Sequence, residues 1–351
     1  MTSYASAGVS IEAGDRAVEL MKEWVEKARR PEVVGGIGGF AGLFDASALK
    51  SYKRPLLATS ADGVGTKVAI AQAMDIHDTI GFDLVGMLVD DLVVCGAEPL
   101  FLTDYIACGS VVPERIADIV KGIAQACAET GTALLGGETA EHPGLLEPDE
   151  YDVAGSTTGV VEADKLLGPE LVRSGDVVIA MASSGLHANG YSLVRHVFFG
   201  QAGWKLDREV EEFGSTLGEQ LLIPTKLYAK PCLDLAAALE VHAMSHITGG
   251  GLAANLARVV PDSVSVRVDR STWSPQPVFG LVGQLGGVAQ ADLEQALNMG
   301  VGMIALVAPD VADEAVRILG ERGVPAWIAG DVAEAGIHGA GGSVTLENTY
   351  A

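Results

Sequence analysis

Apolar positions along the chain recur in two rhythms, one helical and one strand-like. Val18, Met21, Val25 and Ala28 fall at helical spacing, so residues 12–29 read as an amphipathic helix, ended by Arg29-Arg30-Pro31. Further helices are predicted from Lys67 towards Ala73, over 81–94 and over 113–129, the last two closed by Gly96 and Gly131. Short apolar runs predict strands at 56–60, 100–107, 133–135 and 153–161. Between the first helix and the first of these strands lies the run Gly35 to Gly42, too rich in glycine for either element.

Around Gly168-Pro169 and Ser174-Gly175-Asp176 the pattern restarts. A buried-type strand is expected at 177–182, helices near 190–199, 225–240 and 251–259, and strands near 241–247, 263–269, 301–308 and 325–329. The boundary falls near residue 167, giving domains 1–167 and 168–345. Both halves mix strands and helices, so the predicted class is α/β (α+β).

Composition narrows the function classes. The 351 residues carry a formal net charge of −23, which argues against a nucleic-acid partner. It leaves room for a polyanionic small ligand held by backbone N–H groups, a few cations or a metal ion. Cys95, Cys108, Cys127 and Cys232 show no C-x-x-C spacing and read as free thiols in a reducing compartment. The N-terminal stretch lacks a signal peptide's basic and apolar regions, and no apolar run is long enough for a membrane span. A cytoplasmic protein with no membrane partner is therefore expected.

Six stretches carry candidate chemistry. The 35–42 run can bring backbone close to a phosphate, or be a plain loop; it fits neither Walker A nor G-x-G-x-x-G. Asp62-Gly63-Val64-Gly65-Thr66-Lys67 offers a carboxylate for a divalent cation and an ammonium for phosphate oxygens, against a simple strand-to-helix turn. In the helix over 81–94, Leu84, Leu88 and Asp91 share one face, which favours Asp91 as a metal ligand, while Asp83 and Asp90 read as solvated. Gly136-Gly137-Glu138 repeats the sequence of apolar strand, glycines and carboxylate. Asp62, Asp91 and Glu138 could thus form an oxygen-ligand Mg²⁺ set. In the second half, His187 lies in a polar, glycine-flanked turn suited to proton transfer, and His246-Ile247-Thr248-Gly249-Gly250-Gly251 offers N–H groups to a second phosphate.

Taken together, these segments resemble the phosphoribosylformylglycinamidine cyclo-ligase (aminoimidazole ribonucleotide synthetase, AIR synthase) family. The carriers include RRPEVVGGIGGFAGLF, ADGVGTK, GGETAEHPG, GDVVIAMASSGLHANGYSLVR, HITGGGLAANLARVVP and NMGVGM, in family order. The resemblance implies two AIR-synthase-like α/β domains, with N-terminal strands of two copies pairing in a barrel of a homodimer. It implies ATP and Mg²⁺, and conversion of formylglycinamidine ribonucleotide (FGAM) into aminoimidazole ribonucleotide (AIR) with release of ADP and phosphate. On it, Gly36, Gly38, Gly39, Phe40, Gly63, Gly65, Thr66, Lys67, Gly136 and Gly137 are expected at the nucleotide, and Asp62, Asp91 and Glu138 at the metal. Asn189, His246, Thr248, Gly249 and Gly250 are expected at the substrate, with His187, Lys67 and Asp62 as the catalytic groups. Asp90 stands where the family usually has Asn, Leu186 where it has Pro, and Met299 where Cys is common. The alternatives are another ATP-dependent member of the superfamily, such as selenophosphate synthetase or thiamine-phosphate kinase, and a catalytically silent scaffold.

Overall fold

A computed structural model describes residues 10–36 and 39–351. The chain divides into two units. The first comprises the residues up to Leu92 with Glu98–Ala163, the second Val93–Ala97 with Asp164–Ala351.

The first unit runs α1 (Ile11–Lys27), β1 (Val33–Val34), β2 (Leu43–Phe44), β3 (Pro55–Gly63), α2 (Val68–Met74), α3 (Ile80–Val93), β4 (Glu98–Cys108), α4 (Pro113–Thr130), β5 (Ala133–Glu141) and β6 (Tyr151–Glu162). Ser10 caps α1, its hydroxyl accepting from the Ala13 N–H, and Gly131 ends α4 at φ 78°. The main sheet has the order β3-β6-β4-β5. The β4 and β5 strands are parallel and joined through α4; the other pairs are antiparallel. The predicted strand at 133–135 is thus too short, because pairing with β4 carries β5 through both glycines to Glu141.

Helix α3 packs against this sheet through Leu84, Leu88 and Leu92. A Cβ on Gly155 of β6 would lie 2.8 Å from Leu88 Cδ1, and one on Gly159 would lie 3.0 Å from Leu92 Cδ1. On its other side Gly81 abuts α4, where a Cβ would lie 2.1 Å from the Ile123 nitrogen. The helix is therefore enclosed on two sides, and this reverses the expected roles of its acids. Asp83 and Asp90 are fully buried, whereas Asp91 is exposed.

The second unit contains β7 (Val177–Ala182), α5 (Tyr191–Arg195), β8 (Glu209–Val210), β9 (Ser215–Thr216), α6 (Leu217–Leu221), α7 (Ala229–Ala238), β10 (Val241–His246), α8 (Gly251–Ala257) and β11 (Val264–Asp269). It continues with α9 (Pro277–Gly286), α10 (Gln290–Ala296), β12 (Val301–Val307), α11 (Ala312–Glu321), β13 (Ala326–Glu334) and β14 (Val344–Glu347). Its sheet has the order β10-β12-β7-β13-β11-β14, with only β11 and β14 parallel. Every residue of β12 is buried, in a core with Val178, Ala180, Val266 and Val268. Both units are mixed α/β. Among the described residues no helix is long and apolar enough to cross a membrane. The four cysteines are free thiols.

Candidate functional site

In the first unit a groove of about 670 Å³ runs between α1, the 36–42 loop and the edge strand β5. Gly36, Gly39, Phe40, Gly136, Gly137 and Glu138 all line it. The structure thus brings together the two glycine runs that the sequence singled out, 35–42 and 136–137. Gly38 lies outside the described residues. Val18, Met21 and Val25 of α1 form an apolar wall opposite Leu134 and Leu135.

Asp104 also lines the groove, and sequence reasoning missed it. It follows Leu102 and precedes Ile106 on the side of β4 that faces the core, both of them fully buried. Gly137, its partner on β5, leaves room for its carboxyl: a Cβ there would lie 1.9 Å from Asp104 Oδ1. Burial raises the Asp104 carboxyl to about 7, with no cation or hydrogen bond opposing the shift. The signal in the sequence was an acid on the apolar phase of a strand.

Asp62, Gly63, Gly65 and Thr66 lie at the end of β3 and do not line the groove. Asp62 accepts from the Gly63 N–H at 2.7 Å and is exposed. The expected metal set is not assembled. Asp62 is on β3 and Glu138 on β5, at opposite edges of the sheet. Three strand spacings, roughly 14 Å, separate those edges. Among the described residues no three His, Cys, Asp or Glu side chains cluster as a metal site.

Lys67 is a second correction. Expected at the phosphates, it is fully buried, its Nζ 2.8 Å from Asp83 Oδ1. Desolvation pulls its pKa down while the Asp83 carboxylate opposes that pull. The ammonium serves the packing of α3 rather than the groove.

The second unit carries the other candidate cluster. Strands β7 and β10 both run antiparallel to β12, one on each side of it, so the loops after them emerge at the same end of the sheet. His187, expected in an open turn, is 1 % exposed. It holds φ 61°, and its Nε2 accepts from the Ser184 N–H at 3.2 Å. That bond sets the neutral tautomer with its proton on Nδ1. Asn189 reaches the other loop: a Cβ on Gly249 would lie 3.6 Å from Asn189 Oδ1.

Thr248, Gly249 and Gly250 form a turn tied down by Asn255, whose Nδ2 donates to the carbonyls of Thr248, Gly249 and Gly251. His246 is buried at the end of β10. Asn298, also missed from sequence, clamps the His187 loop. Its Nδ2 donates to the Gly185 carbonyl at 2.8 Å, and its Oδ1 accepts from the Ser183 hydroxyl and the Gly300 N–H. The neighbouring Met299 takes φ 49°, and its carbonyl accepts from the Trp273 indole.

Comparison with known proteins agrees over both units. Residues 44–161 match the N-terminal domain family of AIR synthase related proteins, and residues 173–341 match the C-terminal domain family. The phosphoribosylformylglycinamidine cyclo-ligase of Geobacillus kaustophilus (strain HTA426) is 50 % identical over 341 residues, covering 97 % of this chain and 98 % of that protein. Among solved structures, thiamine-monophosphate kinase from Stenotrophomonas maltophilia K279a shares the fold at TM-score 0.68 and 20 % identity, with 98 % of each chain covered. Hydrogenase maturation protein HypE in complex with ATP shares it at TM-score 0.65 and 19 % identity, covering 97 % of this chain and 92 % of that one. Matching both domain families, and half identical to a relative along nearly its whole length, the chain belongs to the AIR synthase related family.

Proposed function

We infer that the chain catalyses the ATP-dependent cyclisation of FGAM to AIR, with release of ADP and phosphate, in purine biosynthesis. The observation that carries this is the 50 % identity, across 97 % of the chain, to a phosphoribosylformylglycinamidine cyclo-ligase.

The substrate holds nucleophile and electrophile in one molecule, and an oriented intramolecular attack enjoys an effective molarity of roughly 10⁵–10⁸ M. The obstacle is the formamide oxygen, a poor leaving group. Transfer of the γ-phosphoryl group of ATP to that oxygen makes it a good one; the amidine nitrogen attacks the carbon, and phosphate departs with the C–O electron pair. We assign ATP to the groove of the first unit, with Gly36 and Gly39 approaching its phosphates and Gly136 and Gly137 lining the part of the groove beside Asp104. The trio Asp62, Asp91 and Glu138 does not fit one Mg²⁺ within a single chain, so Mg²⁺ enters this proposal only as the ion that accompanies ATP.

In the second unit we assign the substrate's ribose phosphate to Asn189 and the Thr248-Gly249-Gly250 turn, beside His246. His187 is assigned to proton transfer during ring closure; with Nε2 accepting from the Ser184 N–H, what it offers is the Nδ1–H proton, which it can give to the departing oxygen. General acid–base help of this kind is worth roughly 10²–10⁴ in rate. We further propose a homodimer in the cytoplasm. Strand β3 is an unpaired edge with Leu57 65 % exposed, a surface that a second copy would cover. FGAM-dependent release of ADP from ATP tests the activity; ADP release that ignores FGAM would point to a different member of the superfamily.

A further inference from the structure

Asp104 poses a question that the reaction does not answer. A carboxyl in a groove wall, with burial alone acting on its titration, accepts no hydrogen bond from any described residue. It is half-buried in the groove wall, and its oxygens face the groove and are open to a ligand there. No Lys, Arg or His is among the residues that line this groove, and Glu138 is the other acid there. A phosphate is a poor partner for it, since like charges repel at close range. The surroundings are apolar: Val18, Met21 and Val25 from α1 face Leu134 and Leu135. Flat apolar walls with one acceptor set between them suit a nucleobase, whose faces are apolar and whose edge is polar.

We propose that Asp104 accepts a hydrogen bond from the 6-amino group of adenine and thereby selects ATP over 6-oxo purine nucleotides. This rests on the groove being the nucleotide site. Adenine presents an N–H donor at that position, whereas hypoxanthine and guanine present a carbonyl oxygen. A carboxylate attracts the first and repels the second. Once protonated, its O–H can donate to a 6-oxo group, so discrimination weakens as pH falls below about 7. The Cys127 thiol of α4 feels this carboxyl and is pushed above its usual range by burial and by Asp104 itself, while Glu138, the residue after Asp104's partner Gly137 on β5, also lines the groove. Neither the α1 wall nor the described part of the 36–42 loop contributes a titratable side chain to the lining apart from these.

The test compares ATP with ITP on the full chain, by equilibrium binding and by turnover. Wild type is expected to favour ATP by roughly 10–100-fold, the worth of one charge-assisted hydrogen bond. Asp104→Asn carries a donor and an acceptor on one rotatable amide, so it is expected to accept both nucleotides within a few-fold and to lose the pH dependence. A merely structural Asp104 would instead weaken ATP and ITP alike, or leave the preference intact, and either result overturns the proposal. If ATP analogues lacking the 2′-hydroxyl lose their preference over ITP in the same way as Asp104→Asn, the carboxyl reads the ribose, and the proposal falls too. Val18→Trp, which fills the groove from its exposed rim, separates the two levels of the argument. If it abolishes ATP binding while Asp104→Asn keeps wild-type selectivity, only the Asp104 assignment fails. If it leaves ATP binding unchanged, the groove is not the nucleotide site and both fail.

Discussion

The groove of the first unit and the paired loops of the second solve opposite problems. In the loops, buried polar side chains are spent on the protein's own backbone: Asn255 holds three carbonyls, and Asn298 ties Gly185, Ser183 and Gly300 together. In the groove, Asp104 is left without such a bond, and Gly136 has open space where a side chain would go. The loops are pre-organised before any ligand arrives, which suits groups that must hold a reacting geometry. The groove keeps its polar capacity for a ligand. The difference teaches where each unit is sensitive, the loops to loss of fold and the groove to loss of binding.

The sharpest way to break this contrast is with two glycines. At Gly251, φ is 74° and a Cβ would lie 1.6 Å from the Glu294 carbonyl oxygen, a backbone atom. Gly251→Ala is expected to cost more than about 4 kcal/mol, enough to lose cooperative unfolding of the second unit in a thermal melt. Gly136→Ala meets nothing within 4 Å and is expected to change stability by less than about 1 kcal/mol. Equal effects at the two positions would remove the contrast.

Lys67→Met comes next. It strands the fully buried Asp83 carboxylate, a loss of about 3–5 kcal/mol by denaturant unfolding. If stability were instead unchanged and the KM for ATP rose, Lys67 would be a phosphate ligand after all. Asn298→Ala removes the two hydrogen bonds that hold the His187 loop at Ser183 and Gly185 and a third to the Gly300 N–H, and is expected to cost about 2 kcal/mol, with a fall in kcat larger than any change in KM for ATP. A further effect is electrostatic. The Asp104 carboxyl is raised from 3.8 to about 7, so the folded state favours its neutral form. Its contribution to stability is full below pH 3.8 and is lost as pH rises to about 7. Against Asp104→Asn, wild type should therefore lose stability across that window and run parallel above it. Wild type gaining stability relative to Asp104→Asn as pH rises would contradict the burial of this carboxyl.

Much of the fold was legible in the sequence, and the failures have physical causes. The amphipathic α1 and α4 and the apolar β7 follow their periodicities, because each presents one clear phase to one neighbour. Helix α3 misled because it is enclosed by the sheet and by α4 together. An apolar stripe then marks only one of two buried faces, and Asp83 and Asp90 lie on the other. Strand β5 was cut short since Gly136 and Gly137 read as a loop, whereas pairing with β4 and the close approach of Asp104 require them. Helices α9, α10 and α11 went unread among glycines and short apolar runs. At the sites, the glycine runs of the groove were visible, since their composition has few other uses. The edge-to-edge separation of Asp62 from Glu138 was not, because strand order is a property of the whole sheet. Asp104 and Asn298 were hidden for a similar reason: each is a single polar residue whose meaning comes from what folds around it.

The central claim is that the chain closes an imidazole ring at the expense of ATP. The most direct measurement mixes the full chain with ATP, Mg²⁺ and FGAM and follows ADP and aminoimidazole product in the same reaction. The account predicts one ADP for each AIR formed, with neither accumulating when FGAM is omitted. ADP release without aminoimidazole, or no turnover with FGAM and ATP both present, would contradict it.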